Sequence, residues 1–237
     1  MSTPFQFKEF QVHQDQCAMK IGTDGVLLGA WTPVSHHPNR ILDIGAGTGV
    51  VALMLAQRCA AESIDAIEID EAAYEQCVQN FENAPWADVL FCYHAGLDEL
   101  VDEMDEPYDL IVSNPPFYSE AVSSGDEARD VARQNQSLPF SSLITDAEKL
   151  LSESGIFAMI APYKEYDYLL ALGAEVGLFP CEVLFVKGNA EAPLKRVLIA
   201  FSRNELAFEK ETLIIEEDRH QYTEAYTALT KDFYLKM

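Results

Sequence analysis

Basic residues are scarce in this sequence. Sixteen lysines and arginines stand against 39 acidic residues in a chain of 237, which gives a formal net charge of −23. Proteins that bind nucleic acids normally carry the opposite bias, because cationic side chains that neutralise phosphates supply much of their affinity. The acidity therefore argues against a nucleic-acid partner, although a local basic patch on an acidic body can be enough.

The sequence also lacks closely spaced cysteine pairs and long apolar runs. The odd number and wide scatter of its five cysteines argue against a disulfide framework or a zinc site. No stretch approaches the roughly 18 apolar residues of a membrane helix, and the N-terminus lacks the basic start and apolar run of a signal peptide. We therefore expect a cytoplasmic protein with reduced cysteines, no metal, no membrane partner and no obligate protein partner. The cysteines are Cys17, Cys59, Cys77, Cys92 and Cys181.

Hydrophobic residues make up 49% of the chain, enough for a sizeable core, and the length fits one domain. Short apolar runs alternate with helical patterns, and the last two strands have no helix between them. This alternation predicts an α/β fold with a doubly wound, mostly parallel sheet and an antiparallel C-terminal hairpin. The predicted strands are residues 40–45, 63–69, 89–93, 108–113, 156–161, 182–187 and 194–201, and the predicted helices are 50–59, 71–83 and 164–176, the last with Gly177 as its C-cap.

A glycine-rich turn, Asp43-Ile-Gly-Ala-Gly-Thr-Gly49, follows the first predicted strand. Gly45 and Gly47 have no Cβ, so the turn can be tight and a ligand can approach its backbone closely. A dinucleotide site would need a third glycine where Val50 stands, and an acidic residue before the turn would repel a pyrophosphate. Asp43 suits a cationic amino-acid ligand instead, and we predict that it helps to hold the α-ammonium group of S-adenosylmethionine, directly or through water.

An acidic residue about 20 positions further on, at the end of the next strand, commonly binds the ribose hydroxyls of such a ligand. Glu68 fills that place, and Asp70 is the alternative. We expect Ala46 in the turn and Ile69 beside Glu68 to line the same cofactor site. The other interpretation is a tight turn and a chance acidic strand end that bind no ligand.

The tetrapeptide Asn114-Pro-Pro-Phe117 follows the fourth predicted strand. Its two prolines fix φ at about −65° and remove backbone donors, which leaves a stiff segment with exposed carbonyl oxygens. The Asn114 side chain and the Pro115 carbonyl can accept both hydrogens of a planar amino group, so that its lone pair points at a methyl donor. Phe117 offers a ring on which a flat base can stack. We predict that Asn114, Pro115, Pro116 and Phe117 form the catalytic site without a metal, unless the tetrapeptide is only a rigid loop.

These two motifs resemble those of class I methyltransferases that act on exocyclic or amide nitrogens. Two further segments, residues 17–31 and 222–237, look like the bacterial tRNA1(Val) adenine-N6 methyltransferases, and the resemblance runs nearly end to end. It implies one Rossmann-like domain over residues 1–237, in which 1–38 covers the substrate and cofactor and 39–237 forms the core with a C-terminal helix. It further implies methyl transfer from S-adenosylmethionine to N6 of adenine 37 in the anticodon loop of tRNA1(Val), with S-adenosylhomocysteine as the product, in the cytoplasm.

The resemblance also carries residue roles over to this sequence. Asp43, Gly45, Gly47, Glu68 and Asn114 are implied to contact the cofactor, and Asn114, Pro115 and Phe117 the target base. Asp24 is implied to close over the cofactor, or else to cap a helix that begins near Gly25.

Two departures from the family pattern affect these roles. Gly96 stands where an aspartate commonly binds the cofactor's adenine, and either Asp98 or a backbone contact is expected to replace it. Phe117 stands where a tyrosine is expected and where guanine-N2 enzymes also have phenylalanine. The tetrapeptide alone therefore does not distinguish adenine from guanine.

A tRNA substrate requires positive charge near the site. Arg129 and Arg133 lie four positions apart after the tetrapeptide, on one face if that stretch is helical. Lys187, Lys195 and Arg196 flank the turn between the last two predicted strands. We predict that these five side chains contact phosphates; the alternative is that they are ordinary solvated charges.

Three other functions remain open at the level of the sequence. A related enzyme could methylate guanine-N2 of ribosomal RNA or a protein glutamine, and the acidity mildly favours a protein substrate while the terminal segments oppose it. A catalytically inert RNA-binding domain would predict a damaged glycine turn or tetrapeptide, and both are intact.

Overall fold

A central sheet organises the chain, and the computed structural model describes residues 3–104, 106–116, 138–205, 207–208 and 210–236. The strands are β1 (Phe5–Gln6), β2 (Gln11–Val12), β3 (Arg40–Ile44), β4 (Ser63–Glu68), β5 (Leu90–His94), β6 (Tyr108–Ser113), β7 (Leu151–Pro162), β8 (Phe179–Lys187), β9 (Leu194–Ser202), β10 (Lys210–Ile214), β11 (Glu216–Asp218) and β12 (Gln221–Tyr222). The helices are α1 (Thr23–Trp31), α2 (Val50–Arg58), α3 (Glu71–Glu82), α4 (Leu97–Glu103), α5 (Phe140–Leu150), α6 (Tyr166–Glu175) and α7 (Glu224–Thr230), and a 3-10 turn (Tyr163–Glu165) precedes α6.

Eight of the strands form one sheet in the order β10-β8-β9-β7-β6-β3-β4-β5. β9 runs antiparallel to both of its neighbours, and the other adjacent pairs are parallel. The chain winds from β3 outward to β5 and then returns to place β6 on the other side of β3. The predicted doubly wound sheet with an antiparallel hairpin is confirmed, and β3 and β6 flank the point where the winding direction reverses.

Two apolar cores lie on opposite faces of this sheet. The first packs against α1, α2, α3 and α7, and the second against α4, α5 and α6. Successive strand residues alternate between them, since Leu110 and Val112 of β6 lie in the first core and Ile111 in the second. Because both faces are covered, the strands are nearly continuous apolar runs, as parallel sheets require.

The predicted β6 agrees with the structure at both ends, and the largest difference lies in β7. That strand was predicted to start after Gly155 but begins at Leu151. Gly155 lies inside it, where an added Cβ would come within 2.9 Å of the Tyr108 carbonyl oxygen. The glycine therefore marks a close approach to β6 rather than the start of the strand.

The helix predicted over residues 164–176 begins later, because its first residues form the 3-10 turn. It ends at Glu175 with Val176 as its C-cap, so the predicted cap, Gly177, lies one residue further along, in the left-handed conformation at φ +76°. The Gly177 and Leu178 N–H groups there donate to the carbonyls of Ala174 and Gly173. The sequence interpretation did not include α5, β10 or the hairpins β1–β2 and β11–β12. Within the described residues, no helix is long and apolar enough to cross a membrane.

The helix α1 packs very closely on α2. A Cβ added to Gly29 would lie 2.8 Å from Met54 Sδ and 2.9 Å from Met54 Cβ. One added to Gly25, a turn earlier, would lie 3.3 Å from a methyl carbon of Val50. The two glycines therefore let α1 lie against the first two turns of α2, directly beside the glycine turn that precedes that helix.

Candidate functional site

The carboxyl ends of β3 and β6 lie side by side. Ile44 pairs with Ser113, and the Ser113 hydroxyl donates to the Ile44 carbonyl at 2.9 Å. The glycine turn leaves β3 here and Asn114 leaves β6, so the two sequence motifs start from adjacent backbone positions. Ligands of doubly wound sheets bind in the crevice at such a reversal point.

The glycine turn forms an open cradle. Gly45 and Gly47 have φ values of +73° and +55°, which L side chains rarely adopt. Among the described residues, and apart from each glycine's own chain neighbours, no heavy atom lies within 4 Å of a Cβ built on either residue. The Gly45 and Ala46 N–H groups donate to the Ile67 carbonyl of β4 at 3.0 and 3.1 Å, which fixes the turn against the neighbouring strand.

Glu68 is held at the end of β4 facing this turn. One carboxylate oxygen accepts the Gly47 N–H at 2.8 Å and the other accepts the Asp70 N–H at 3.0 Å. Asp70, the alternative ribose-binding residue, caps α3 by accepting the Ala73 N–H at 2.9 Å. Ile69, between them, is 53% exposed and can cover one face of a flat ligand. The structure therefore orients Glu68, rather than Asp70, toward the turn.

Asp43 lies behind the turn and is only 1% exposed. Burial raises its pKa from 3.8 to about 7, the Ala52 N–H opposes that rise, and the Glu68 carboxylate adds to it. The Ala52 N–H donates to Asp43 Oδ2 at 3.2 Å. A cation beside such a carboxylate would stabilise its charged form. The burial favours contact with an ammonium group through water over direct contact.

The region after β5 brings the Asp98 carboxylate next to Gly96, the position where the expected acidic residue is missing. Gly96 is the N-cap of α4, and Asp98 is exposed in the first turn of that helix. Asp98 Oδ1 lies 2.5 Å from the position that a Cβ on Gly96 would occupy. The Asp98 carboxylate thus fills the space beside the glycine.

Asn114 and Pro115 lie where the N-terminal segment meets the sheet. Asn114 is half-buried and Pro115 is buried. A Cβ built on Gly25 would be 3.8 Å from Asn114 Nδ2, so α1 lies against the asparagine side chain. Pro116 is half-buried beside them, while Phe117 lies outside the described residues.

Asp24 and Arg196 are partners. Arg196 Nε donates to Asp24 Oδ2 at 2.8 Å, with 23% and 28% of the two side chains exposed. The prediction that Asp24 caps its helix is wrong: α1 begins at Thr23, its N-cap is Gly22, and Asp24 lies in the first turn. The ion pair joins α1 to β9. It also partly neutralises the charge of Arg196, one of the residues predicted to contact phosphates.

Of the other four residues predicted to contact phosphates, the structure describes two. Lys187 and Lys195 lie at the turn end of β8 and β9, where Lys195 is exposed and Lys187 half-exposed. Arg129 and Arg133 lie outside the described residues.

Two buried amides of α3, which the sequence interpretation missed, anchor the N-terminal segment at this site. Asn80 accepts the His13 N–H at 2.8 Å and donates to the His13 and Thr48 carbonyls, both at 2.9 Å. Gln76 accepts the Gln16 N–H at 3.2 Å. Asn80 thereby joins the segment to the glycine turn. The sequence did contain a signal for this role, because two amide side chains four positions apart fall on the apolar face of the predicted helix.

Comparison with known proteins assigns the chain to a family. The model of the methyltransferase small domain matches residues 23–178. A tRNA1(Val) (adenine(37)-N6)-methyltransferase of Flavobacterium psychrophilum is 58% identical over 233 residues, which is 98% of this chain and 100% of the relative. The chain belongs to the tRNA1(Val) (adenine(37)-N6)-methyltransferase family. Relatives with the same name from Christiangramia forsetii and Trichodesmium erythraeum are 55% and 43% identical, and each alignment covers at least 98% of both chains.

Solved structures agree with this family at the level of the fold. A predicted O-methyltransferase from Agrobacterium tumefaciens has a TM-score of 0.67 at 20% identity, covering 89% of this chain and 96% of that one. A ribosomal protein L11 methylase from Lactobacillus delbrueckii has a TM-score of 0.53 at 17% identity, covering 76% and 77%. These similarities show that the chain has the methyltransferase fold.

Proposed function

We propose that this protein transfers a methyl group from S-adenosylmethionine to the exocyclic N6 of adenine 37 in the anticodon loop of tRNA1(Val). The observation that carries the proposal is a similarity of 55–58% identity over essentially the whole chain to enzymes that bear this name. The crevice between β3 and β6 supports it, because the glycine turn and Asn114 meet there.

The residues around the glycine turn fit S-adenosylmethionine. The cradle in front of Gly45 and Gly47 is open, and the two carboxylates beside it, Asp43 and Glu68, match a ligand that carries an ammonium and a sulfonium group. When bound, this cofactor supplies an electrophilic methyl group on sulfur.

Each end of the cofactor has a candidate partner. The Glu68 carboxylate is oriented by two backbone N–H groups and keeps lone pairs for ribose hydroxyls. Ile69 offers an exposed apolar face to the adenine, and Asp98 can accept the hydrogens of its amino group. The Asp43 carboxylate attracts the α-ammonium group electrostatically from behind the glycine turn.

Asn114 and Pro115 orient the target amino group. The Asn114 amide oxygen and the Pro115 carbonyl accept its two hydrogens, which shifts electron density to N6 and aims the lone pair at the methyl carbon. Pro116 stiffens the segment, and Phe117 stacks on the base. An adenosine in the anticodon loop is already single-stranded, so turning it outward costs less than extruding a paired base.

We further propose that residues 1–38 form a cover for the cofactor and the target base, on a core that spans residues 39–237. The contacts of His13 and Gln16 with α3, and of Gly25 with Asn114, support this division. We also propose that the enzyme works in the cytoplasm and requires no metal.

The test is to incubate the protein with labelled S-adenosylmethionine and total tRNA, and to digest the product to nucleosides. We expect the label in N6-methyladenosine. In a separate incubation with tRNA1(Val) that carries guanosine at position 37, we expect no label. Label in N2-methylguanosine would support a guanine-N2 enzyme instead. Label in glutamine, in a parallel incubation with a protein acceptor, would support a protein glutamine methylase. No transfer to any acceptor would support the inert RNA-binding alternative.

The substitution Asn114→Ala tests whether Asn114 orients the target amino group. We expect the variant to lose about 100-fold or more in methyl transfer, because positioned groups supply effects of this size. Cofactor affinity, measured by calorimetry, should change little. Loss of both together would contradict the assigned role.

A further inference from the structure

A group of aromatic and lysine side chains lies on one face of the sheet beyond β7. We call it the aromatic–lysine surface, and it consists of Tyr163, Tyr166, Phe185, Lys187 and Lys210, with Lys195 at its rim. The rings of Tyr163 and Tyr166 meet the Phe185 ring edge-on, at centroid distances of 5.4 and 5.1 Å. Lys210 Nζ lies 5.3 Å from the Tyr166 ring centre.

Strand register brings the lysines to the same face as these rings. Phe185 and Lys187 are two positions apart on β8, so their side chains point to the same side. Lys210 pairs with Val183, which lies in the core on that side. Lys195 is exposed at the rim, at a register shift between β8 and β9.

The lysines of this surface are not held in ion pairs with described residues. Among the residues that the structure describes, no carboxylate is within ion-pairing distance of Lys187, Lys195 or Lys210. The acidic hairpin β11–β12 begins where Ile215 and Glu216 bond to the end of β8, and it bounds the surface beyond Lys187. In a chain of net charge −23, this concentration of cations is the local exception that a polyanionic partner needs.

The surface lies at the same edge of the sheet as Asn114, on the face of the second core. Tyr163 directly follows β7, the neighbour of β6, and β8 is three strands from β6 in the sheet. At about 4.8 Å between strands and about 3.3 Å per residue along them, the register places Lys187 roughly 20 Å from Ser113 at the end of β6. Nucleotides that flank a base held at Asn114 can span this distance.

We propose that the aromatic–lysine surface binds the single-stranded nucleotides next to the target base, with Tyr163 stacking on one base and Lys187, Lys195 and Lys210 contacting phosphates. Tyr163 is the exposed ring of the cluster, with 37% of its surface accessible. Stacking on aromatic rings and contacts between lysines and phosphates are the two means by which proteins bind single strands. This inference rests on the proposed tRNA substrate and names the surface that holds it.

The lysine contacts are tested by the salt dependence of tRNA binding. For Lys187→Gln, Lys195→Gln and Lys210→Gln, the slope of log affinity against log salt should fall by about 0.7–0.9 for each phosphate that the variant no longer neutralises. Lys149→Gln is the control, because Lys149 lies at the end of α5, beside the start of β7, and pairs with Asp146. Cofactor affinity should be unchanged in all four variants.

The stacking contact is tested by Tyr163→Ala and Tyr163→Phe. The alanine variant should bind tRNA about 5- to 100-fold more weakly, the range that corresponds to removal of one stacked base, and the phenylalanine variant should bind normally. Tyr168→Ala, at an exposed tyrosine of α6 that is outside the cluster, should have no effect.

The two proposals can fail separately. If the unaltered protein methylates adenine 37 and the variants match it in affinity and salt slope, the proposed surface is wrong and the proposed function stands. If the unaltered protein neither binds nor methylates tRNA, both proposals are overturned. Equal reductions in Lys149→Gln or Tyr168→Ala would also overturn the surface, because they would show a general effect of charge or folding.

Discussion

At the scale of single residues, Asp43 combines a cost to stability with a proposed role in cofactor binding. A carboxylate that is 1% exposed loses most of its hydration, and its single described hydrogen bond, from Ala52, offsets only part of that loss. Its pKa is about 7 instead of the ordinary 3.8, so the folded protein keeps the Asp43 carboxyl protonated up to nearly neutral pH. A cationic ligand nearby would favour the charged form, so binding and stability are linked through this group.

We predict that Asp43→Asn stabilises the ligand-free protein at high pH. Between about pH 4 and 7 the unfolded chain loses the Asp43 proton while the folded chain keeps it, so stability falls as pH rises through this range. Above pH 7 Asp43 is ionised in both states, and its burial then lowers the free energy of unfolding by up to about 4 kcal/mol. Denaturant unfolding should therefore show the variant more stable at pH 8 and equal to the parent near pH 4.

The same substitution should weaken S-adenosylmethionine binding, whereas in the parent the affinity should fall about tenfold per pH unit below 7. Asp65→Asn is the matched control, because Asp65 is also buried but lies in the middle of β4, hydrogen-bonded to the Tyr108 hydroxyl at 2.9 Å. A flat pH profile of cofactor affinity in the parent would contradict the role assigned to Asp43.

Local sequence predicts some site residues and not others. Asp43, Glu68 and Asn114 could be inferred as candidates because each lies at or just after the carboxyl end of a buried strand, and strand ends of a parallel sheet meet at one edge. The Asp24–Arg196 pair could not, since the two residues are 172 positions apart and only the sheet order brings them together. Asp24 also shows that an acidic residue near a helix start need not be its cap.

At the scale of elements, periodicity predicts the strands that are covered on both faces. β6 is largely apolar and buried, with Asp109 and Ser113 as its polar exceptions, and was predicted at its observed bounds. β10 is a short edge strand with the sequence Lys-Glu-Thr-Leu-Ile, and its pairing with β8 depends on tertiary contacts that no local pattern records. The part of the sheet that carries the aromatic–lysine surface was therefore the hardest to foresee.

The contact between α1 and α2 leads to a prediction at this scale. Gly29→Val should destabilise the protein by about 1–3 kcal/mol, because its side chain would overlap Met54 in a filled core. Thermal or denaturant unfolding measures the loss. Gly22→Val is the matched control, since a Cβ there meets nothing closer than a carbonyl oxygen at 4.0 Å. Equal stability of the two variants would show that the helices can separate at no cost.

At the scale of the whole molecule, the charge of −23 and the proposed tRNA substrate act in opposite directions. The excess of carboxylates repels a polyanion at long range, whereas the lysines of the proposed aromatic–lysine surface would attract it at short range. Salt screens both, with a Debye length of about 10 Å at 0.1 M. An acidic enzyme of this kind depends on where its few cations lie more than on their number.

Salt should therefore change folding and tRNA binding in opposite directions. Raising KCl from about 0.05 to 0.5 M screens the self-repulsion of the acidic chain, and at pH 8 we expect a stabilisation of about 1 kcal/mol, or roughly 2–4 °C in Tm. Over the same range tRNA affinity should fall, because the lysine contacts with phosphate release counterions. At about pH 5, where many carboxylates take up protons, the rise in Tm should shrink. A Tm that falls with salt at pH 8 would mean that favourable ion pairs such as Asp24–Arg196, rather than net repulsion, dominate the electrostatics of this fold.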